Sequence, residues 1–312
     1  MNETAKRIVS GVGIGAVVIF ALSYDVYGWI FPFCLVAVFA LLGLYEFQVL
    51  TDRGLDGSAF RKTAFVFSVL ILLAFYARFL TIKDPEALHQ SELHVLLRTW
   101  FYPAATNLVP LLMIALLVAS SALQILSRPL DGAIYSISVT VSGVFYTTIG
   151  VGYALLLYAL PAGLFYLILF ALIPISSDTG AYFAGRWFGR HNAGLKVSPR
   201  KTWEGYIGGV VLSVLVVNGF LYGWTEYARS QDWPLPNIAM LEISLLGVIM
   251  SFVSVIGDLA ESAFKRDAKI KDSAQTIPGH GGILDLADAL FFAFPVGYFY
   301  LVLRQVAGFT LV

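Results

Sequence analysis

Long, uninterrupted apolar runs limit what this chain can fold into more than any other feature of its sequence. A helical crossing of a hydrocarbon core about 30 Å thick needs roughly 20 apolar residues. Such runs recur near 8–24, 27–48, 64–82, 105–126, 133–149, 151–176, 204–225, 241–259 and 287–307, which predicts roughly nine spans. The runs are continuous rather than alternating, so they suit helices and not a transmembrane barrel, whose strands alternate. With 58% hydrophobic and 13% charged residues, the chain has too little polar surface to cover a soluble domain. The expected fold is therefore all-α, a polytopic integral membrane protein. The run 151–176 contains Pro161 and reads either as one kinked helix or as two shorter pieces.

Lys6 and Arg7 ahead of the first run look like the start of a signal peptide. No small-residue cleavage pattern follows, however, and the next run begins at Tyr27, so a first span is expected. Basic residues gather at Lys6/Arg7, Arg53/Arg61/Lys62, 186–201 and 265–271. Nine spans with a cytoplasmic N-terminus put all four groups on the cytoplasmic side. The opposite connections, 83–104 and 226–240, carry mixed charge, and His89 and His94 read as solvated surface rather than metal ligands. Gly11, Gly13 and Gly15 follow no strand and are expected to serve helix packing. Cys34 is the only cysteine, which excludes an intramolecular disulfide or a cysteine zinc cluster. The net charge is zero, so composition offers nothing toward nucleic acid and no such partner is expected.

The polar residues concentrate in two clusters between spans of the C-terminal half. The first, 177–205, reads SDTGAYFAGRWFGRHNAGLKVSPRKTWEG. Ser198-Pro199 looks like a helix start, which places Arg200 and Lys201 in the opening turn, where they oppose the helix dipole. An anion bound there would offset that cost; topology signalling by basic residues is the alternative. The second, 257–290, reads GDLAESAFKRDAKIKDSAQTIPGHGGILDLADAL. On a helix, Asp258, Glu261, Ser262 and Lys265 share one face. Their alignment at the membrane boundary suggests a wet cavity, with an ion pair from Asp258 or Glu261 to Lys265 as the structural alternative. Asp285 and Asp288, three residues apart, are expected on one face at the start of the last span. With Asp258 they form an oxygen-rich set suited to a hard cation such as Mg²⁺. Lys265, Arg266, Lys269 and Lys271 lie between these carboxylates. The turn that follows, Pro278 to Gly282, has few side chains and admits close backbone approach to a ligand at Gly281 and Gly282. His280 in that turn reads as a general acid/base or as a structuring hydrogen-bond donor. Cations, carboxylates and a glycine turn together describe a polyphosphate site.

These residues resemble the phosphatidate cytidylyltransferase (CDP-diacylglycerol synthase) family, whose signature runs S-x-x-K-R-x4-K-D, then P-G-H-G-G, then D-R-x-D. Ser262, Lys265, Arg266, Lys271, Asp272, Pro278 to Gly282, Asp285 and Asp288 match it. DTGAYFAGRWFG and SPRKTWEG are also similar to the family, so the resemblance covers 177–312, and upstream only the polytopic pattern agrees. The resemblance implies a C-terminal transmembrane catalytic region over 177–312, preceded by N-terminal transmembrane helices over 1–176, with a polar cavity facing the cytoplasm. It implies that CTP and phosphatidate, or a related lipid phosphate, react to give CDP-diacylglycerol and pyrophosphate with a divalent cation such as Mg²⁺. Asp258, Lys265 and Asp285 would be catalytic, and Asp258, Asp285 and Asp288 would be the metal-binding carboxylates. Arg200, Lys201, Ser262, Arg266, Lys271, His280, Gly281 and Gly282 would bind substrate. The expected setting is phospholipid biosynthesis in the bacterial inner membrane, with the active site on the cytoplasmic side and homodimer formation left open. One position departs: Leu286 stands where the family pattern has Arg. That departure keeps a non-catalytic binding paralogue in view, and a CTP-dependent lipid kinase or a flippase are further alternatives.

Overall fold

The structure is a computed structural model and describes residues 3–23, 29–54, 57–83, 92, 95–96, 99, 108–270, 273–274, 276–277 and 281–312. Lys271 and His280, with Asp272, Pro278 and Gly279 of the same motif and with His89 and His94, lie outside the described residues. The described chain is helical, without a strand; two isolated antiparallel bridges pair Asn192 with Thr202 and Ile277 with Gly281. It divides into two compact units, Met1–Ala159 with Asp267–Ala287, and Leu160–Arg266 with Asp288–Val312.

The first unit holds α1 (Glu3–Ser23), α2 (Ile30–Leu50), α3 (Arg61–Lys83), α4 (Leu108–Ser127), α5 (Ala133–Gly143), a π-helical turn (Val144–Ile149), α6 (Gly150–Ala159) and the short α10 (Ile283–Ala287). The second holds α7 (Gly163–Phe188), α8 (Trp203–Ser230), α9 (Met240–Asp267, its last residue in the first unit) and α11 (Leu290–Val306). Eight described spans are long and apolar enough to cross a membrane: α2, α3, α4, Ala133–Ala159, α7, α8, α9 and Ile283–Val306. The apolar part of α1, Ser10–Ser23, is shorter. A Cβ on Gly13 or Gly15 in α1 would meet nothing within 4 Å among the described residues, so the helix packing expected at these glycines is not seen there.

One boundary differs from the sequence reading. The apolar stretch expected to break between 149 and 151 continues as a single span, Ala133–Ala159, and the break falls at 160–162. Pro161 cannot donate into a helical ladder, and Ala162 adopts a left-handed φ of 52° as the N-cap of α7. Inside Ala133–Ala159 the π-turn is buried. There the Thr148 hydroxyl donates to Ser68 Oγ at 2.9 Å, and Thr147 donates to the Gly143 carbonyl at 2.8 Å. Intrahelical or interhelical acceptance of this kind is how a hydroxyl is tolerated in an apolar bundle.

In the second unit α7 and α8 pack backbone to backbone. A Cβ on Gly180 would stand 2.5 Å from the Gly208 carbonyl oxygen, so only glycine permits this approach. The far end of the unit is tied by Arg304, which donates to Glu242 at 2.6 Å and also to the carbonyls of Thr310 and Asn237. That buried guanidinium fixes the last residues of the chain against the start of α9.

Candidate active site

The loop between α7 and α8 carries Arg190, His191, Lys196, Arg200 and Lys201. Pro199 occupies the second position of a turn closed by the Lys201 N–H donating to the Ser198 carbonyl at 3.2 Å. Thr202 caps α8, its hydroxyl accepting the Gly205 N–H at 3.2 Å. The helix start expected at Ser198-Pro199 is thus displaced to Thr202, because the fixed φ of proline serves a turn as well as a first helical residue. Arg200 and Lys201 precede the helix rather than opening it, and Arg200 is exposed. The loop closes on itself through Ala193 N–H to the Lys201 carbonyl at 2.8 Å and Trp203 N–H to the His191 carbonyl at 3.0 Å.

That closure directs the Lys201 ammonium to the Asp258 carboxylate on α9, to which it donates a hydrogen bond. The two side chains are 27% and 26% exposed. Lys201 Nζ also lies 5.8 Å from the ring centroid of Tyr206, one turn into α8. The Tyr206 hydroxyl is buried without a hydrogen-bond partner among the described residues. Gly257 lets α9 approach α11: a Cβ there would meet the Asp288 carbonyl at 2.9 Å. Asp178 and Asp288 lie within electrostatic reach of Asp258 and of each other, with the Lys201 ammonium near Asp178 and the Lys265 ammonium near Asp288. Lys265 Nζ lies 2.5 Å from Glu261 Oε2 and Glu261 is buried, so the structural alternative for Lys265, an ion pair on α9, is the arrangement present. Ser262 is half-buried and Arg266 exposed on the same helix.

Asp285 and Asp288 do not share one uninterrupted helix. α10 ends at Ala287, and a turn at 288–289 precedes α11. Asp288 accepts its neighbour's N–H, from Ala289, at 2.6 Å, and such local bonding competes with the helical ladder. Asp285 belongs to the first unit and Asp258 and Asp288 to the second. In the first unit Asp285 Oδ2 accepts the Gly282 N–H at 2.9 Å, the Ser273 N–H at 3.0 Å and the Ser273 hydroxyl at 2.8 Å. Gly281 takes a φ of 89°. The close backbone approach expected at Gly282 is realised toward protein groups: a Cβ there would collide with Ser273 Oγ and Glu46 Oε2.

Among the described residues no three His, Cys, Asp or Glu side chains are grouped to hold a metal ion by themselves. Mg²⁺ is ordinarily held by one or two carboxylates together with substrate phosphates and waters. The all-oxygen pair Asp258 and Asp288 fits that ion as part of such a substrate complex.

Glu46, Asp178 and Tyr206 escaped the sequence reading as site residues. Asp178 lies within the first polar cluster, at the head of DTGAYFAGRWFG, and Tyr206 directly follows that cluster, but their spacing alone marks no role. Glu46 did carry a signal, a carboxylate near the end of an apolar span.

The sequence model of the Cytidylyltransferase family matches residues 5–304. The chain belongs to this family. The match extends the resemblance beyond the C-terminal motifs to the N-terminal helices. Among similar family proteins is "Phosphatidate cytidylyltransferase" of Haemophilus influenzae, 40% identical over 139 residues, which are 44% of this chain and 46% of that protein. The protein of the same name from Synechocystis sp. is 43% identical over 143 residues, 46% and 45% of the two chains. That of Bacillus subtilis is 38% identical over 141 residues, 45% and 49%. The chain spans about half the length of the curated relatives it matches.

Proposed function

We propose that the protein transfers the cytidylyl group of CTP to phosphatidate or a related lipid phosphate, forming CDP-diacylglycerol and pyrophosphate in phospholipid biosynthesis. The observation that carries this reading is the Lys201–Asp258 ion pair, with the Asp178 and Asp288 carboxylates close by, in a chain of the cytidylyltransferase family. Such a set presents cations to phosphate oxygens and carboxylates to a hard cation.

A phosphate-monoester oxygen of the lipid attacks the α-phosphorus of CTP. The bond to the bridging oxygen of the leaving group breaks, and pyrophosphate departs with the electron pair. The lipid phosphate is already anionic, so the chain supplies no nucleophile and positions and neutralises instead. Lys201 and Lys265, now paired with carboxylates, offer ammonium groups to phosphate oxygens, and the exposed Arg200 and Arg266 extend the basic surface. Mg²⁺ held by Asp258 and Asp288 would supply further neutralisation of phosphate charge. The assignments of Ser262, Lys271, His280, Gly281, Gly282 and Asp285 rest on the sequence motif.

The reading places catalysis in the C-terminal region 177–312, on the cytoplasmic side of a bacterial inner membrane, with homodimer formation open. CTP labelled on the α-phosphorus tests it: label entering the lipid fraction supports cytidylyl transfer, whereas entry only of γ-label identifies a lipid kinase. Leu286 favours the second reading, a binding paralogue without turnover, for which neither label enters lipid.

A further inference from the structure

The first unit contains a buried carboxylate that the proposed reaction does not use. Glu46, on the last turn but one of α2, is 3% exposed. Its Oε1 accepts the Thr276 hydroxyl at 2.6 Å and the Ile283 N–H at 3.0 Å. Its Oε2 accepts the Leu284 N–H at 2.9 Å and the Ser273 hydroxyl at 3.2 Å. Both backbone donors belong to the first turn of α10, whose N–H groups have no helical acceptor of their own. Asp285 accepts the Gly282 N–H and the Ser273 N–H, and shares the Ser273 hydroxyl with Glu46. Ser273 therefore bridges the two carboxylates. Just beyond α2, Arg53 is paired at 2.5 Å with Asp267, at the other end of the same segment.

We infer that Glu46 is a positioning residue: through the hydrogen bonds it accepts from Thr276, Ile283 and Leu284, and through the Ser273 hydroxyl it shares with Asp285, it fixes these residues and with them the orientation of Asp285. The reaction-linked half rests on the function proposed above; the structural half does not. Glutamine at 46 keeps the shape but replaces one acceptor oxygen with a donor, so that one backbone N–H, of Ile283 or Leu284, loses its acceptor while the neighbouring hydroxyl can turn to accept. Thr276→Val removes a single donor and leaves the rest of the network, so it serves if the first variant folds poorly.

The test combines amide hydrogen exchange with kinetics on the full-length protein in detergent–phosphatidate micelles. In Glu46→Gln, exchange at Ile283 and Leu284 should quicken by at least about tenfold while α7 to α9 stay protected. The kcat for pyrophosphate release should fall by a similar factor, with the KM for CTP changed much less. Thr276→Val should shift both quantities the same way, by a few-fold. Unchanged exchange at Ile283 and Leu284 in both variants overturns the contact. Faster exchange with wild-type kcat shows that the segment is held but does not serve turnover, and overturns the positioning role. A wild-type protein without turnover brings down the proposed function and the reaction-linked half, while the exchange measurement still decides the structural half.

Discussion

Lys201 and Asp258, 57 residues apart in sequence, are joined by an ion pair that connects the loop before α8 to the start of the C-terminal charged cluster on α9. The pair is only about a quarter exposed, so water screens it poorly and removing one member leaves the other uncompensated. On the function proposed above, substrate phosphates and a divalent cation would be the partners that release the two groups from each other without that cost.

Asp258→Asn should abolish pyrophosphate release and leave the protein folded, since the amide preserves shape and removes the anionic oxygen. Lys201→Ala should raise the KM for CTP more than it lowers kcat. A double-mutant cycle on thermal stability should show coupling of about 1–3 kcal/mol between the two positions. Retention of more than about a tenth of wild-type turnover in Asp258→Asn, a loss of about 1.4 kcal/mol in transition-state stabilisation, would take that residue out of the reaction.

The divalent requirement is tested by chelation. Turnover should vanish in excess chelator and return with Mg²⁺, and Asp288→Asn should raise the Mg²⁺ concentration needed for half-maximal rate by at least about tenfold, as for loss of one hard-oxygen ligand. Undiminished turnover in chelator contradicts the use assigned to these carboxylates.

Tyr206 presents a buried hydroxyl without a partner among the described residues, an arrangement that costs stability unless a ligand completes it. Tyr206→Phe should hold or raise the melting temperature in the absence of ligand. It should lower kcat/KM by about tenfold, the worth of one hydrogen bond to a charged phosphate. A melting temperature that falls with kinetics unchanged would make the hydroxyl purely structural.

Much of this architecture is legible in the sequence, because helix existence follows from apolar run length. The boundary near residue 150 is not, since the Thr147 and Thr148 hydroxyls find acceptors within the bundle and Ala133–Ala159 runs on as one span. The break falls instead at 160–162, around the Pro161 that the sequence offered as an alternative, and depends on the left-handed turn at Ala162. Ser198-Pro199 misleads because proline fits a turn and a helix start equally well, and only the Thr202 cap distinguishes them. The basic and acidic residues of the second cluster are readable as a site, but the pairing of Lys265 with Glu261 and of Lys201 with Asp258 depends on packing. Glu46 stays hidden for a different reason: its partners lie more than 220 residues away, as the separation of 227 from Ser273 shows, and no local pattern announces them.

Leu286 is half-buried on α10 beside Asp285, whose Oδ2 already accepts three hydrogen bonds. Leu286→Arg should restore a long cationic side chain that reaches a phosphate, and raise turnover or CTP affinity by about tenfold. A drop in melting temperature without kinetic gain would instead show that the leucine is packed where a charge cannot be accommodated.

Sidedness is measurable without any assay of turnover. In a protein whose native Cys34 has been replaced by alanine, cysteines at Arg190 and Lys269 should be labelled from the cytoplasmic side, and cysteines within 83–104 and 226–240 from the other. Labelling of the Arg190 and Lys269 positions from opposite sides contradicts the orientation drawn from the basic residues.

The most direct measurement of the central claim supplies CTP, Mg²⁺ and phosphatidate micelles to the purified protein and to Asp258→Asn, and quantifies pyrophosphate, CDP and CDP-diacylglycerol together. The wild type should form pyrophosphate and CDP-diacylglycerol in equal amounts without free CDP, and folded Asp258→Asn should form none of the three. CDP in place of pyrophosphate, or no product from a folded wild type across several lipid phosphates, would contradict the claim.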